Sequence, residues 1–324
     1  MFTAAQLVEK INAYFEEITI VKEPEGLYRP IEYILSLGGK RIRPVLMLMA
    51  YNLYKENVSA IYSPAAGIEI YHNHTLLHDD VMDRSDMRRG KPTVHKVWND
   101  NVAILSGDAM LILAFKYMAD CSQKYIKEVI EIFDCTTLEI CEGQQLDMEF
   151  ESRTDVAENE YVEMIRLKTA VLLAASLRIG AILAGASKAD ADNLYNFGVQ
   201  IGVSFQLQDD LLDVYGDPKI FGKKIGGDIL CNKKTYMLIK AFEMADEQQR
   251  KALDSALLMD IDHPYEKIKA VTEIYNELNI REICESKMQG YYKQAMEHLN
   301  AVGVTDEKKN ELKDLVRTLM NREV

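Results

Sequence analysis

Apolar residues recur along most of the chain at the spacing of α-helices rather than of strands. The span between Pro92 and Pro218 contains no proline and is rich in Leu, Ala, Ile, Glu, Lys and Met, which have high helix propensity. Thr3 begins the Thr-x-x-Gln pattern of a capping box, and Ser63 places a capping residue before a first-turn proline. Alternating β-branched runs joined by hairpin turns are absent from the sequence. These patterns predict an all-α fold.

The organisation of the chain is predicted to be simple, because no low-complexity linker and no solenoid-type repeat interrupts the helical pattern. A chain of 324 residues is long enough for one large domain or two small ones. Its composition, 48% hydrophobic and 27% charged, is typical of a soluble globular protein with an ample core. We therefore predict a single domain that spans residues 1–324.

Charge and cysteine content restrict the partners and the compartment. The net charge of −13 argues against nucleic acid or an anionic membrane surface as a partner. The five cysteines are odd in number and show no CxxC spacing, which favours reduced thiols in a cytoplasmic protein. Glu9 and Lys10 interrupt any secretory signal core, and the most apolar run, Ala170–Gly185, contains Arg178 and is too short to span a bilayer. We expect no stable membrane insertion.

An acidic cluster within residues 76–92 is the first candidate for chemistry. It places four aspartates in about two helical turns with two arginines after them: Asp79, Asp80, Asp83, Asp86, Arg88 and Arg89. Asp79 and Asp83 are four residues apart and share a helix face, where two carboxylates can hold an oxygen-seeking ion such as Mg²⁺. Arginine guanidinium groups suit phosphate oxygens. The alternative is a solvated acidic helix end, although the flanking residues are largely apolar.

The same acidic spacing recurs within residues 205–217. Asp209, Asp210 and Asp213 lie inside a second apolar helix, where Asp209 and Asp213 share a stripe with Gln206. A solvated acidic strip does not explain two such clusters in apolar surroundings. The repeated Asp-Asp-x-x-Asp pattern therefore predicts one shared metal site.

Basic residues precede the first aspartate cluster. Lys40, Arg41 and Arg43 lie just ahead of a predicted helix N-terminus, which disfavours cations unless an anion lies between them. The alternative is a solvated basic turn. His72 shares a helical stripe with Asp79, so it either donates to a second anionic group or is a partnered core residue.

Lysines also surround the second aspartate cluster. The glycine-punctuated segment 217–235 carries four of them: Lys223, Lys224, Lys233 and Lys234. Beside a metal site such a segment is typical of a lid that closes over phosphate groups, although a plain surface loop has the same composition. Lys168, ahead of a long apolar stretch, either reaches the surface or points into a cavity that holds an anion.

Taken in order, these motifs resemble those of the trans-isoprenyl diphosphate synthases, the polyprenyl synthetase family that includes farnesyl and geranylgeranyl diphosphate synthases. The resemblance covers about residues 38–235, from GGKRIRP through HDDVMDRSDMRRGKPT, LKT and FQLQDDLLDVYGD to GKKIGGD and NKKT. Two DDxxD motifs with RRG between them are highly specific. The resemblance implies a helical bundle around a central active-site cavity, a homodimer and a requirement for Mg²⁺.

The resemblance also implies a reaction. Isopentenyl diphosphate is expected to be joined head to tail and in trans to an allylic diphosphate, by magnesium-assisted ionisation, condensation and proton elimination. A longer-chain polyprenyl diphosphate synthase is an alternative. A terpene cyclase is expected to carry an Asn/Ser/Glu metal motif in place of the second aspartate cluster, and a non-catalytic synthase subunit is expected to lack the motif acids.

Residue roles are implied by the resemblance position by position. Mg²⁺ ligands are implied at Asp79, Asp83 and Asp209, with supplementary roles for Asp80 and Asp213. Isopentenyl diphosphate is implied to bind Lys40, Arg43, His72 and Arg89. The allylic diphosphate is implied to bind Arg88, Lys168, Lys223 and Lys233. The groups implied to lie near the allylic carbocation belong to Lys168, Thr169 and Gln206.

Product length in the family depends on side chains one or two turns before the first aspartate, where bulky groups form the floor of the product tunnel. These positions hold His74 and Thr75, and Tyr71 lies one turn deeper. His74 is intermediate in size, and Tyr71 is expected to block a deeper level. A farnesyl or geranylgeranyl product is therefore favoured over longer chains.

Overall fold

The computed structural model describes residues 1–217, 225–259 and 263–320 of the chain. Its α-helices in these ranges are α1 Ala4–Glu17, α2 Glu25–Ser36, α3 Ile42–Asn52, α4 Tyr62–Met82, α5 Val94–Val97, α6 Asp100–Ala119, α7 Ile126–Ser152, α8 Glu158–Ile165, α9 Val171–Ala184, α10 Lys188–Tyr215, α11 Gly227–Leu230, α12 Tyr236–Met244, α13 Glu247–Leu257, α14 Pro264–Glu277, α15 Ile280–Ala301 and α16 Asp306–Met320. The strands in these ranges are the two-residue β1 Met87–Arg88 and β2 Lys91–Pro92. The prediction of an all-α fold is confirmed.

The chain groups into two compact units. Unit 1 comprises Met1–Cys135, Ala175–Tyr195 and Val302–Leu312. Unit 2 comprises Thr136–Ala174, Asn196–Ala301 and Lys313–Val324. The single-domain organisation expected for residues 1–324 stays a prediction.

The core of unit 1 fixes the helix that carries the first aspartate cluster. Every residue of α3 from Pro44 to Asn52 is buried, which explains its continuous apolar sequence. Helix α4 packs on α6 at Gly67, where a Cβ atom would lie 3.0 Å from the Ala114 carbonyl oxygen and 3.0 Å from the Met118 nitrogen. Glycine therefore permits the close approach of these two helices.

Unit 2 has its own continuous apolar core. Its nearly fully buried members include residues of α8, α10, α14 and α15, namely Tyr161, Leu207, Leu211, Val271 and Cys284. Two of these elements, α8 and α10, lead to or carry candidate chemical groups. The core therefore holds Lys168 and the second aspartate cluster on rigid helices rather than on loops.

Two predicted helix starts have different outcomes. The capping box at Thr3 is confirmed, since its hydroxyl accepts the Gln6 N–H at 3.2 Å and the Gln6 side chain accepts the Thr3 N–H at 2.9 Å. The cap at Ser63 is wrong, because a 3₁₀ turn at Val58–Ile61 runs directly into α4 and leaves Ser63 inside its first turn. The Ser63 hydroxyl donates instead to the Tyr117 carbonyl at 3.2 Å.

Two helical segments in the described ranges are long and apolar enough to cross a membrane, Asp100–Ala119 and Glu158–Ala184. In the second segment 83% of the most apolar window is buried inside the protein, as expected for a core helix. In the first segment only 33% of that window is buried. Length and composition alone are weak support for a membrane span. The exposed apolar face of Asp100–Ala119 is also typical of a surface that contacts another protein.

Candidate active site

The first aspartate cluster lies at the C-terminal end of α4. Asp79 and Asp80 belong to the last turn, and Asp83 ends the helix with its N–H on the Asp79 carbonyl at 2.8 Å. No basic residue lies in this last turn, so three carboxylates occupy the negative end of the helix dipole. Such an arrangement favours a cation bound beside Asp79 and Asp83.

Asp80 differs from its two neighbours because it is buried and paired. Its carboxylate is 2% exposed and accepts three hydrogen bonds from the Arg88 guanidinium, at 2.6, 3.0 and 3.0 Å. A forked guanidinium–carboxylate pair is among the strong polar interactions in proteins. The structure thus places Arg88, expected at the allylic diphosphate, on an aspartate of the first DDxxD motif.

The two arginines of the RRG motif are presented by the β1–β2 hairpin. Arg88 pairs with Lys91 across the hairpin, and the turn residues Arg89 and Gly90 have φ angles of 50° and 75°. Positive φ at both positions is the geometry of a type I′ turn, which glycine adopts without strain. The tight turn directs Arg88 and Arg89 to different partners.

Arg89 connects the hairpin to the basic segment that precedes α3. Its guanidinium donates to the Gly38 carbonyl, 51 residues earlier in the chain. A Cβ atom at Gly39 would lie 2.8 Å from the same guanidinium, and the φ angle of Gly39 is 133°. The positive φ angle favours glycine at this position, and the missing Cβ atom leaves space for the Arg89 guanidinium. The GGKRIRP and RRG motifs are therefore in contact.

Arg43 and His72 form another contact within unit 1. The Arg43 Nη1 atom lies 3.1 Å from His72 Nε2. Because a guanidinium group only donates, Nε2 accepts and the neutral ring carries its proton on Nδ1. Burial, followed by the positive charges of Arg43 and Arg89, holds the pKa of His72 well below its usual range. The ring is therefore neutral at neutral pH.

The cationic cluster, which we define as Arg43, His72, Arg88 and Arg89, is arranged to receive an anion. Burial, together with the charge of Arg89, lowers the pKa of Arg43 to about 10. The buried Nε atom of Arg43 has no hydrogen-bond partner among the described residues. Arg43 also lies in the first turn of α3, where backbone N–H groups favour a negative charge. Lys40, exposed just ahead of this turn, adds a further positive charge.

Arg41, from the same basic segment, has a structural role instead. Its backbone is left-handed, with φ of 50°, and its side chain is directed into the interior. The guanidinium makes a buried ion pair with Glu69 at 2.7 Å and donates to the Leu35 carbonyl at 3.0 Å. The sequence groups Arg41 with Lys40 and Arg43, but the left-handed turn separates it from them.

Tyr71 lies at the centre of an aromatic stack in unit 1. Its side chain is 1% exposed, and its ring packs edge-on against Phe133 with 5.4 Å between centroids. Phe133 in turn packs against Phe115 at 4.8 Å. The sequence gives no sign of these two phenylalanines, because they come from α6 and α7 rather than from the motif on α4. Tyr71 is thus supported by a second ring.

His74 and Thr75, the other residues expected to control product length, face different partners. The His74 Nδ1 atom lies 2.9 Å from the Gly107 carbonyl oxygen on α6. Burial, followed by the neighbouring His78, lowers the pKa of His74 to about 4. The Thr75 hydroxyl turns back to the His72 carbonyl at 2.8 Å.

Lys168 and Thr169 lie in a wide helical turn, Arg166–Ala170, between α8 and α9 in unit 2. In this π turn the Val171 N–H donates to the Arg166 carbonyl, five residues back instead of four. π turns inside α-helices are frequent at functional sites. Sequence reasoning missed this turn, since no local residue pattern specifies it.

Two glycines flank the wide turn. A Cβ atom at Gly143 would lie 2.4 Å from the Lys168 nitrogen, and one at Gly202 would lie 2.5 Å from the Ala170 Cα atom. Real Cβ contacts are not this short, so both positions require glycine as the helices are packed. Gly143 on α7 and Gly202 on α10 thereby let the turn fit between two helices.

Side chains of the wide turn engage partners in unit 2. The partly buried Lys168 ammonium pairs with Asp147 at 2.7 Å. The Thr169 hydroxyl donates to Gln206 Oε1 at 3.1 Å. Lys168 is thus partly buried and paired with a carboxylate, and its expected contact with an anion stays a prediction.

Asp210 of the second aspartate cluster is buried beneath Gln206. One of its oxygens accepts the Gln206 Nε2–H at 3.2 Å, and the other accepts the Tyr161 hydroxyl. Burial, followed by the charge of Asp228, raises the pKa of Asp210 to about 7. Tyr161 was not singled out from the sequence, although it lies about two turns before Lys168 on the same helical segment.

Asp213 and Lys233 belong to the same acidic surroundings. Asp213 accepts the Asp228 N–H at 2.9 Å. The Lys233 ammonium lies 3.8 Å from Asp228. Burial alone would lower the pKa of Lys233, but four carboxylates together raise it: Asp228, Asp147, Asp210 and Asp213. Lys233 is therefore a charged lysine beside the second cluster.

The predicted lid falls partly outside the described residues. Lys223 and Lys224 lie there, so their expected role stays a prediction. Among residues 1–217, 225–259 and 263–320, no three His, Cys, Asp or Glu side chains converge closely enough to hold a metal ion by themselves. Mg²⁺ commonly takes one or two carboxylates and completes its shell with water and phosphate oxygens. Asp79 and Asp83, at the end of α4, offer two carboxylates of that kind.

Comparison with known proteins adds an independent observation. The family model described as "Polyprenyl synthetase" matches residues 24–278. The short chain isoprenyl diphosphate synthase of Methanocaldococcus jannaschii is 42% identical over 270 residues, 83% of this chain and 81% of that protein. The geranylgeranyl pyrophosphate synthase of Geoglobus acetivorans is 39% identical over 304 residues, 89% of this chain and 95% of that protein. A crystal structure of a geranylgeranyl pyrophosphate synthase superposes with a TM-score of 0.95 at 39% identity, covering 100% of both chains.

Proposed function

The chain belongs to the polyprenyl synthetase family and is a trans-prenyltransferase, and we propose that it joins isopentenyl diphosphate to an allylic diphosphate to make geranylgeranyl diphosphate. Relatives named for this product or for short-chain synthesis match most of the chain. Both DDxxD motifs are intact, which disfavours a terpene cyclase and a non-catalytic subunit. The family predicted from the motifs is confirmed.

The cationic cluster is the observation that carries the proposed binding of isopentenyl diphosphate. It holds a neutral His72 among guanidinium groups and an Arg43 Nε atom without a described partner. An unsatisfied buried donor costs roughly 1–3 kcal/mol, which a diphosphate oxygen would recover. Lys40, exposed just ahead of α3, supplies further positive charge next to this cluster. A diphosphate matches this arrangement better than a carboxylate, because it offers several acceptor oxygens to several donors.

Mg²⁺ is proposed to bind Asp79 and Asp83 from the end of α4 and Asp209 from α10. Asp79 and Asp83 lie at the negative end of the α4 dipole, where a bound cation is favourable. Asp80 and Asp213 are proposed to support the metal site without being its main ligands. Asp80 accepts hydrogen bonds from Arg88, and Asp213 accepts the backbone N–H of Asp228. When bound, Mg²⁺ neutralises charge on the leaving diphosphate and so eases cleavage of the allylic carbon–oxygen bond.

The remaining steps are assigned to side chains of the protein. Arg88, Lys168 and Lys233, together with Lys223 outside the described residues, are proposed to hold the allylic diphosphate as it leaves. The Lys168 carbonyl, Thr169 and Gln206 are proposed to face the allylic cation with their oxygen dipoles. The isopentenyl double bond then attacks the cation, and a proton is lost to the released diphosphate. No side-chain base is required by this scheme.

The product length is proposed to follow from the floor beneath the first aspartate cluster. Tyr71 is buried, and its ring is backed by Phe133. His74 is held against the Gly107 carbonyl and adds a second ring one turn above. Two adjacent rings favour a product of limited length over a long-chain polyprenyl diphosphate.

The assembly is proposed to be a homodimer in the cytoplasm. Three large apolar side chains on α6 are exposed, at 45%, 60% and 71%: Ile104, Leu105 and Ile112. An exposed apolar helix face of this kind marks an interaction surface more often than a solvated one. The five cysteines are all free thiols, which fits a reducing compartment.

A product assay tests the function. Purified protein is given Mg²⁺, labelled isopentenyl diphosphate and, in separate reactions, dimethylallyl, geranyl or farnesyl diphosphate. We expect a C20 prenyl diphosphate from each allylic substrate, identified by chromatography after phosphatase treatment. A hydrocarbon product would support a cyclase instead, and no turnover with any of the three would contradict the proposal.

A further inference from the structure

We propose that Tyr161 is a positioning residue for prenyl transfer, which holds the Asp210 carboxylate so that Asp210 fixes the orientation of the Gln206 amide. The inference rests on the proposed function, because it concerns the side of Gln206 that faces the reacting carbon. Tyr161 is expected to act through its neighbours and to touch no substrate.

The geometry is a continuous chain of hydrogen bonds within unit 2. The Tyr161 hydroxyl donates to Asp210 Oδ2. The Gln206 Nε2–H donates to Asp210 Oδ1 at 3.2 Å. The Thr169 hydroxyl donates to Gln206 Oε1 at 3.1 Å. Four side chains from α8, α10 and the wide turn are thereby linked, and donors from both sides converge on the Asp210 carboxylate.

The direction of the chain decides which end of the amide is presented. An amide has a donating NH₂ end and an accepting oxygen end, and the ionised Asp210 carboxylate accepts at both of its oxygens. The NH₂ end of Gln206 therefore points to Asp210, and the oxygen points to Thr169. If the amide rotated by half a turn, its NH₂ end would face the site instead, and the dipole there would reverse.

The reversal matters because the proposed reaction develops positive charge. A carbonyl oxygen facing an allylic cation stabilises it, whereas an NH₂ group destabilises it. Orientation fixed before the reaction costs no reorganisation during it. Asp210 thus has a task distinct from that of Asp209, which is proposed to bind Mg²⁺.

Tyr161 is the residue that holds Asp210 in place. Both side chains are 1% exposed, so neither has water as an alternative partner. Loss of the Tyr161 hydroxyl leaves one Asp210 oxygen without this donor in a buried setting, where an unmet hydrogen bond is costly. The carboxylate is then free to turn, and the Gln206 amide loses its fixed partner.

Substitution of Tyr161 by Phe removes only the hydroxyl and keeps the packing of the ring. Tyr275→Phe is the matched control, since Tyr275 is also buried in the core of unit 2 and lies near Asp210 but is not a member of the chain. We expect Tyr161→Phe to lower kcat about tenfold, the size of one hydrogen bond, with an unchanged KM for isopentenyl diphosphate. Tyr275→Phe is expected to keep the wild-type kcat. Activities are referred to the folded fraction measured by thermal melting.

A double-mutant cycle separates positioning from a merely structural role. If Tyr161 acts through Gln206, Tyr161→Phe lowers kcat in the wild-type background but has little further effect in a Gln206→Ala background. Equal effects in both backgrounds, or wild-type kcat in Tyr161→Phe, would overturn the inference. Failure of the wild-type protein to make any prenyl product would instead overturn the proposed function, so the two failures are distinguishable.

Discussion

The guanidinium group of Arg88 donates to both carboxylate oxygens of the buried Asp80. This pair joins the β1–β2 hairpin to the end of α4, where the first DDxxD motif lies. An ion pair therefore connects the aspartates and the RRG segment of the motif HDDVMDRSDMRRGKPT, in addition to the backbone between them. Arg88 therefore stabilises the fold through Asp80, and it is also proposed to bind the allylic diphosphate.

Removal of Arg88 is expected to destabilise the protein in the absence of substrate. Arg88→Ala leaves the Asp80 carboxylate buried without its partner, which costs about 3 kcal/mol in free energy of unfolding. Urea denaturation at neutral pH measures this loss. Arg84→Ala is the control, because Arg84 pairs with Asp100 at an exposed site and such pairs contribute about 1 kcal/mol or less. Equal losses in the two variants would contradict this account of the Asp80 pair.

Asp79→Ala is expected to lower kcat by about 10²–10³-fold, because a ligand of the ions that stabilise the leaving group is removed. Steady-state kinetics at saturating Mg²⁺ provide the measurement. Asp86→Asn serves as a control from the same segment, since Asp86 is exposed and pairs with Lys96 at 2.8 Å. Retention of the wild-type kcat in Asp79→Ala would remove Asp79 from the metal site.

Tyr71→Ala is expected to lengthen the product, because the ring proposed to form the tunnel floor is lost. Phe133 remains behind it and limits the extension, so the shift is expected to be one or a few isoprene units rather than an open-ended series. Product chain length is read by chromatography of the dephosphorylated alcohols. Tyr71→Phe keeps the ring and should give the wild-type product. An unchanged product in Tyr71→Ala would show that Tyr71 is not the floor.

Stability is expected to fall as the pH falls, partly because of His74. Burial lowers its pKa in the folded chain to about 4, whereas the unfolded chain titrates near the ordinary value of about 6.5. Between these values the unfolded state binds a proton that the folded state does not, so acidification favours unfolding. His74→Gln should show a shallower loss of unfolding free energy between pH 7 and pH 5, measured with urea. A wild-type slope in the variant would rule out this contribution.

Ile112→Glu is expected to convert the protein to monomers, because a charge is placed on the exposed apolar face of α6. Sedimentation velocity or light scattering after gel filtration gives the mass. Leu258→Glu is the control, since Leu258 is 87% exposed on unit 2 and is not part of the α6 face. A monomeric wild-type protein, or a dimeric Ile112→Glu, would exclude this face as the dimer interface.

Much of the fold could be predicted from the sequence because helix signals are local. Helix propensity over the proline-free span and the capping box at Thr3 both agree with the structure. The paired DDxxD motifs and the RRG motif are sufficient to indicate the family. These features are recognisable because their chemistry requires fixed residue types at fixed spacing.

The features that the sequence did not reveal depend on tertiary contacts. Arg41 looks like its neighbour Arg43, and only the left-handed backbone directs it to Glu69. Tyr161 carries no motif signal, and its role appears only when Asp210 is seen beneath Gln206. Ser63 does not cap α4, because the 3₁₀ turn at Val58–Ile61 leads directly into the helix, and the local residue pattern does not predict this turn.

The wide turn at Arg166–Ala170 also sets the angle, seen along the helix axis, between side chains that precede it and side chains within it. In a regular α-helix, Tyr161 and Thr169 would be eight residues and about 80° apart, but one residue absorbed by the π turn reduces this angle to about 20°. Both side chains can then reach α10, where Asp210 and Gln206 are spaced by one turn. Deletion of a single residue from this turn would swing Thr169 off that face while leaving the helix continuous. A homologue that lacks one residue in this turn is therefore expected to present different groups to the allylic cation, even though its helix stays continuous.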